Sequence, residues 1–146
     1  MNVVLDTNVL ISARISKEGN PARILKHILE HRPEIELLTS TDLLAEVSRV
    51  FRYPRIKRKY HLQDDDIELY MQLVEDASTL VEVRSVPAII EDDPDDDRVL
   101  ACALEGKAEY IVTGDPHLLN LQSYEEIDIV SPRDFLALLE KDRTGG

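Results

Sequence analysis

Apolar residues in this chain fall into short continuous runs separated by longer stretches of helical spacing. Val3-Val4-Leu5 stops on Asp6 and predicts a strand at about 2–6. A helix follows on Pro21-Ala22-Arg23-Ile24-Leu25-Lys26-His27-Ile28-Leu29, with Asn20 as cap and Pro21 at the first helical position. Glu36-Leu37-Leu38-Thr39 predicts a second strand. Ser40 or Thr41 then caps a helix that buries Leu43, Leu44, Val47, Val50 and Phe51 and is closed or kinked by Pro54. Gln63 to Thr79 predicts another helix, opened by Asp64-Asp65-Asp66 and striped by Ile67, Tyr70, Met71 and Val74. The rest predicts a strand at Leu80–Val83, a helix ending near Leu104, a strand from Tyr110 running out to Asp115 and a short helical turn. A strand at Ile127–Val130 and a last helix from Ser131 or Pro132 to about Lys141 complete the pattern. Such alternation implies a single α/β domain with a mainly parallel sheet over residues 1–142, and residues 143–146 are expected to form a frayed tail.

At 146 residues, 43% of them hydrophobic, the chain is long enough for one real core and too short for two domains. There is no Trp and only 5% aromatic content, so that core is aliphatic. Cys102 has no partner cysteine in the chain and lies in an apolar stretch, as expected of a buried thiol in a reducing compartment. No apolar run approaches the length of a membrane span and no secretory leader pattern is visible, so a cytoplasmic location is expected. The net charge of -12 opposes broad nucleic-acid binding, but its distribution is uneven. Arg49 to His61 carries six Lys or Arg and no acid. Arg52, Arg55, Lys57, Arg58 and Lys59 are therefore candidates for a phosphate track or an acidic partner, with a simple solvated face as the alternative.

Two strands end on aspartates, Asp6 and Asp115, and between them Glu91-Asp92-Asp93-Pro94-Asp95-Asp96-Asp97 holds six acids in seven positions. In an open α/β sheet, loops at the carboxyl ends of the strands form the ligand site, so these acids are expected to gather at one edge. Asp97 falls in the first turn of a helix, and Glu46 lies at the rim of an apolar helical face. Convergent carboxylates stay ionised only when something cationic offsets them, and hard oxygen donors suit Mg²⁺ or Mn²⁺. One or two such ions would support attack of water on a phosphodiester. Asn8 and Thr113 are placed to orient Asp6 and Asp115, although turn chemistry would also account for them. Helix capping likewise competes for Asp97, and Glu91, Asp92, Asp93, Asp95 and Asp96 are expected to be solvated loop and cap residues.

The stretches Val4-Leu5-Asp6-Thr7-Asn8-Val9-Leu10-Ile11-Ser12, Leu44-Ala45-Glu46-Val47, Asp93-Pro94-Asp95-Asp96-Asp97-Arg98-Val99-Leu100-Ala101-Cys102-Ala103 and Ile111-Val112-Thr113-Gly114-Asp115 together resemble the PIN-domain nucleases. Within that family the chain most resembles the stand-alone VapC-like toxins of toxin-antitoxin pairs. The resemblance implies a Rossmann-like sheet of about five parallel strands in the order 3-2-1-4-5 and Mg²⁺- or Mn²⁺-dependent endoribonuclease activity. It further implies that Asp6, Glu46, Asp97 and Asp115 are the catalytic, metal-binding acids and that Asn8 and Thr113 support them. RNA and a small antitoxin protein are the implied partners, and the helical segment from Glu46 to Thr79, with Tyr53, Tyr60 and Tyr70, is a candidate for a homodimer interface or an antitoxin groove. In this scheme Asp6, Asp97 and Asp115 hold the ion and Glu46 positions or deprotonates the attacking water. The long acidic run and the acidic total charge depart from the commoner toxins.

Two other functions are compatible with some of these residues. A haloacid-dehalogenase-type phosphatase would use Asp6 with Thr41, Lys107 and Gly114-Asp115, but Asn8 stands where its general acid belongs and Leu119 where a further acid is expected. A non-catalytic module that binds RNA or protein would not need all four acids, and the chain has them.

Overall fold

The computed structural model describes residues 1–84 and 94–145. Val3, Val4 and Leu5 are fully buried because β1 (Asn2–Leu5) lies inside the sheet, with β2 (Glu36–Thr39) parallel on one side and β4 (Tyr110–Val112) parallel on the other. β3 (Ser78–Leu80) extends the sheet beyond β2, and β6 (Ile127–Val130) extends it beyond β4. A two-residue strand, β5 (Ser123–Tyr124), adds an antiparallel edge on β6. The full order is β3-β2-β1-β4-β6-β5. The five parallel strands, counted along the chain, thus follow 3-2-1-4-5 as expected, and the antiparallel edge is an addition.

Side chains alternate across the sheet, as the two-residue repeat of a strand requires. Val3, Leu5, Leu37 and Val112 enter one core with α1 (Thr7–Ile15), α2 (Asn20–Glu30), α3 (Thr41–Phe51), α5 (Asp64–Ala77) and α8 (Pro132–Gly145). Val4, Leu38, Ile111 and Ile129 enter the other with α6 (Pro94–Glu105) and α7 (Pro116–Leu121). Cys102 is buried in this second core, and burial pushes its thiol up to about 12. Among the described residues no helix is long and apolar enough to cross a membrane.

Several boundaries differ from the sequence expectation. No helix was expected directly after β1, yet Thr7–Ile15 is helical and buries Thr7, Val9, Leu10 and Ala13. Its apolar residues lie almost all round, so the periodic signal is weak and packing on the sheet decides the conformation. Pro54 opens a separate short helix, α4 (Pro54–Lys59), because α3 has already ended at Phe51. The helix expected to reach Thr79 stops at Ala77, where the Ser78 hydroxyl donates to the Val74 carbonyl at 2.6 Å and the backbone turns extended. Ser78, Thr79 and Leu80 then pair with Leu37, Leu38 and Thr39, so the third strand begins two residues earlier than expected. The last helix continues to Gly145.

Candidate metal centre

β1 and β4 are neighbours, and strand order runs away from β1 in opposite directions on its two sides. Leu5 pairs with Val112, so the residues that follow them, Asp6 and Thr113-Gly114-Asp115, emerge together at the carboxyl edge. This is the crevice where an open α/β sheet binds ligands.

Asp6 is 3% exposed and is also the N-cap of α1. Its Oδ1 accepts from the Thr7 backbone N–H at 2.7 Å. Its Oδ2 accepts from the Thr113 hydroxyl at 2.6 Å and from Asn8 Nδ2 at 3.0 Å. Burial pushes the Asp6 pKa up, the hydrogen bonds from Thr113 and Thr7 pull it down, and the charge of Asp115 pushes it up again, for a net rise. Thr113, fully buried, turns its oxygen to two partners, donating to Asp6 and accepting the Asp115 backbone N–H at 2.9 Å. Asn8 bridges the two strand ends a second time, accepting the Gly114 N–H on Oδ1 at 3.3 Å. Asn8 and Thr113 therefore stand beside Asp6 as the sequence suggested.

Asp115 is half-buried and caps α7, its Oδ1 accepting the His117 N–H at 2.8 Å. Pro116 at the start of that helix fixes the turn, which brings the His117 ring back over its own cap. Nδ1 of His117 lies 3.7 Å from Asp115 Oδ1 and 4.0 Å from Asp96 Oδ2. Asp96 is 4% exposed and comes from the first turn of α6. Among the described residues, Asp96, Asp115 and His117 form the group whose ligand atoms all lie within 4.8 Å of one another.

Asp97 is buried beside Asp96 in the same helical turn but does not belong to that group. Adjacent helical residues point about 100° apart, so the sequence alone does not choose which of two neighbouring acids faces Asp115. His117 is not among the residues that the motifs mark, and its two-residue offset from Asp115 across Pro116 is the one signal of it in the sequence. Glu46 is half-buried on α3, which packs against both α1 and α6. Glu91, Asp92 and Asp93 lie outside the described residues.

The basic segment falls on the end of α3 and on α4. Arg52 and Lys57 both bind Asp64, at 3.2 and 2.7 Å, and the pairing holds the Asp64 carboxyl below its ordinary range. Arg55 and Arg58 are exposed, and Lys59 lies 5.3 Å above the Tyr60 ring. Lys107 follows the carboxyl end of α6 and precedes β4, which puts it at the amino edge of the sheet, opposite Asp6. The lysine needed by the phosphatase alternative is therefore on the wrong side.

Oxygen donors from Asp96 and Asp115 with a nitrogen from His117, and a buried Asp6 close enough to Asp115 to feel its charge, make a donor set that fits a divalent metal ion. Residues 2–117 match the PIN domain family. An uncharacterized protein of Methanocaldococcus jannaschii is 30% identical over 149 residues, covering 97% of this chain and 93% of that protein. Among solved structures, the fold is similar to that of VapBC2 from Rickettsia felis bound to a DNA fragment from their promoter. That match has a TM-score of 0.62 and 12% identity and covers 90% of this chain and 98% of the other, a likeness of fold.

Proposed function

This chain belongs to the PIN-domain family, and from that premise we propose that it is a metal-dependent endoribonuclease acting as the toxin of a toxin-antitoxin pair. The observation that carries the proposal is the meeting of Asp6 and Asp115 at adjacent strand ends, with Asp96 from α6 in reach of Asp115. Asp6, Asp96 and Asp115 would hold Mg²⁺ or Mn²⁺. Glu46 and Asp97 complete the acidic site, Glu46 by positioning or deprotonating the attacking water. When bound, the ion supplies a more acidic water and offsets charge on the scissile phosphate. Thr113 and Asn8 keep Asp6 aimed, since each donates to the same carboxylate oxygen. Arg55 and Arg58, exposed on α4, give the RNA backbone a cationic approach on an otherwise acidic protein.

A partner surface is proposed on α5, where Leu69 and Leu73 are 75% and 47% exposed and border a groove of about 550 Å³ with Arg14 and Tyr70. An antitoxin segment would cover these leucines. Its capture by this chain should be lost in Leu69→Asp, which alters an exposed side chain and leaves the core alone.

Cleavage of end-labelled single-stranded RNA with Mg²⁺ or Mn²⁺ tests the activity. Asp6→Asn is expected to slow it by at least about tenfold to a hundredfold, the loss that follows even when a group supporting a metal ligand is removed. An Asp6→Asn variant that cuts as fast as the parent would refute the scheme. A parent protein that binds RNA and never cuts it would favour the non-catalytic module instead.

A further inference from the structure

We propose that His117 is a ligand of the ion and that its nitrogen makes the site select Mn²⁺ over Mg²⁺. This rests on the metal-site reading given above and extends it from a set of acids to the choice of ion.

The geometry is specific to the ring. Nδ1 stands 3.7 Å from one carboxylate oxygen and 4.0 Å from another. Both separations exceed a direct hydrogen bond. They fall between the spacings of donors about 2.1 Å from one metal, about 3 Å when adjacent and about 4.2 Å when opposite, so a small turn of the exposed ring brings all three to one ion. The ring comes from one helix, Asp96 from another, and Asp115 is the cap beneath the ring, so an ion placed among them would join α6 to α7. The ring does not reach this place through loose chain. Pro116 sets the turn, and the His117 N–H is held by Asp115 Oδ1 at 2.8 Å.

Ligand chemistry then sets the preference. Mg²⁺ takes oxygen and keeps much of its water, whereas imidazole nitrogen is a good donor to first-row transition ions. One nitrogen among carboxylates therefore favours Mn²⁺ without excluding Mg²⁺. A protonated ring paired with the two acids would make the same approach, so the test must detect the metal–nitrogen bond itself.

His117→Gln is a suitable variant, because the side chain is 58% exposed and the backbone bond to Asp115 survives the change. Pulsed electron paramagnetic resonance of the Mn²⁺-loaded parent protein is expected to show coupling to a ¹⁴N nucleus that is absent in His117→Gln. Calorimetric titration should show Mn²⁺ affinity falling roughly tenfold in the variant while Mg²⁺ affinity moves by less than about twofold. Mn²⁺ bound without nitrogen coupling, coupling that persists in His117→Gln, or an unchanged Mn²⁺/Mg²⁺ ratio would each overturn the inference and leave the metal-site reading standing. Failure of both ions to bind the parent would overturn the two together.

Discussion

Asp6 does two jobs with one carboxylate: it caps α1 through the Thr7 N–H and takes part in the acidic site through Thr113 and Asn8. Its burial makes the charged form costly, so its folded pKa lies above the ordinary value of 3.8. A carboxyl with a raised folded pKa favours folding below its unfolded value and loses that contribution as pH rises through the folded one. Without metal, the stability of the parent relative to Asp6→Asn should therefore fall as pH is raised from about 4, which urea midpoints of the two proteins across pH would record. A difference that stays flat or runs the other way would mean that the hydrogen bonds outweigh burial at this residue. Thr113→Val keeps the shape but removes a donor from a buried carboxylate and an acceptor from the Asp115 N–H. It should cost about 1.5–3 kcal/mol in denaturant unfolding and slow RNA cleavage, because Asp6 and Asp115 lose their common link.

The carboxyl end of α6 shows how one element meets two constraints. Ala108 N–H bonds to the Ala103 carbonyl and Lys107 N–H to that of Leu104, a closing pattern that puts Lys107, with φ 56°, in the left-handed position. Glycine usually takes that position, but here Gly106 precedes it. A Cβ on Gly106 would lie 2.7 Å from Leu38 Cδ1, 2.9 Å from Val81 Cγ2 and 3.1 Å from the Cys102 carbonyl oxygen. Contact with β2 and the chain after β3 claims the glycine, and the lysine carries the strained backbone. Gly106→Ala should destabilise by about 1–3 kcal/mol, as overpacking does. Lys107→Gly should stabilise by a few tenths to about 1 kcal/mol. Thermal unfolding of the pair would give shifts of opposite sign, and shifts of the same sign would contradict this account of the helix end.

At the scale of the whole molecule, charge is what sets behaviour. A net charge of -12 with acids concentrated at one sheet edge means that a divalent cation should favour the folded state. At a hundredfold excess over its dissociation constant the ion adds about 2.7 kcal/mol, or a rise in Tm of about 2–4 °C for each kcal/mol. Scanning calorimetry with and without millimolar Mn²⁺ should record that rise, and its absence would remove the case for a site. Changing both Arg55 and Arg58 to Glu should weaken RNA binding and flatten its salt dependence, each lost phosphate contact lowering the slope by roughly 1. An unaltered slope would place the RNA track elsewhere.

Hydrophobic rhythm and strand-ending acids were enough to place β1, β2, β4 and β6, the helices around α3 and α5, and the gathering of Asp6 with Asp115 at one edge. These features depend on local spacing and on the rule that parallel strands share a carboxyl edge, both of which are properties of the linear chain. Tertiary structure decided the rest. It made Thr7–Ile15 a helix, because the sheet and neighbouring helices bury that segment on more sides than a periodic stripe would show. It brought Asp96 into one group with Asp115 and His117, because the direction of a helical side chain, turned about 100° from its neighbour's, gains meaning only when the helix is docked. It turned His117 over the same acids, and it sent Lys107 to the opposite edge. Proximity across elements depends on how helices seat on the sheet, which no short window of residues contains.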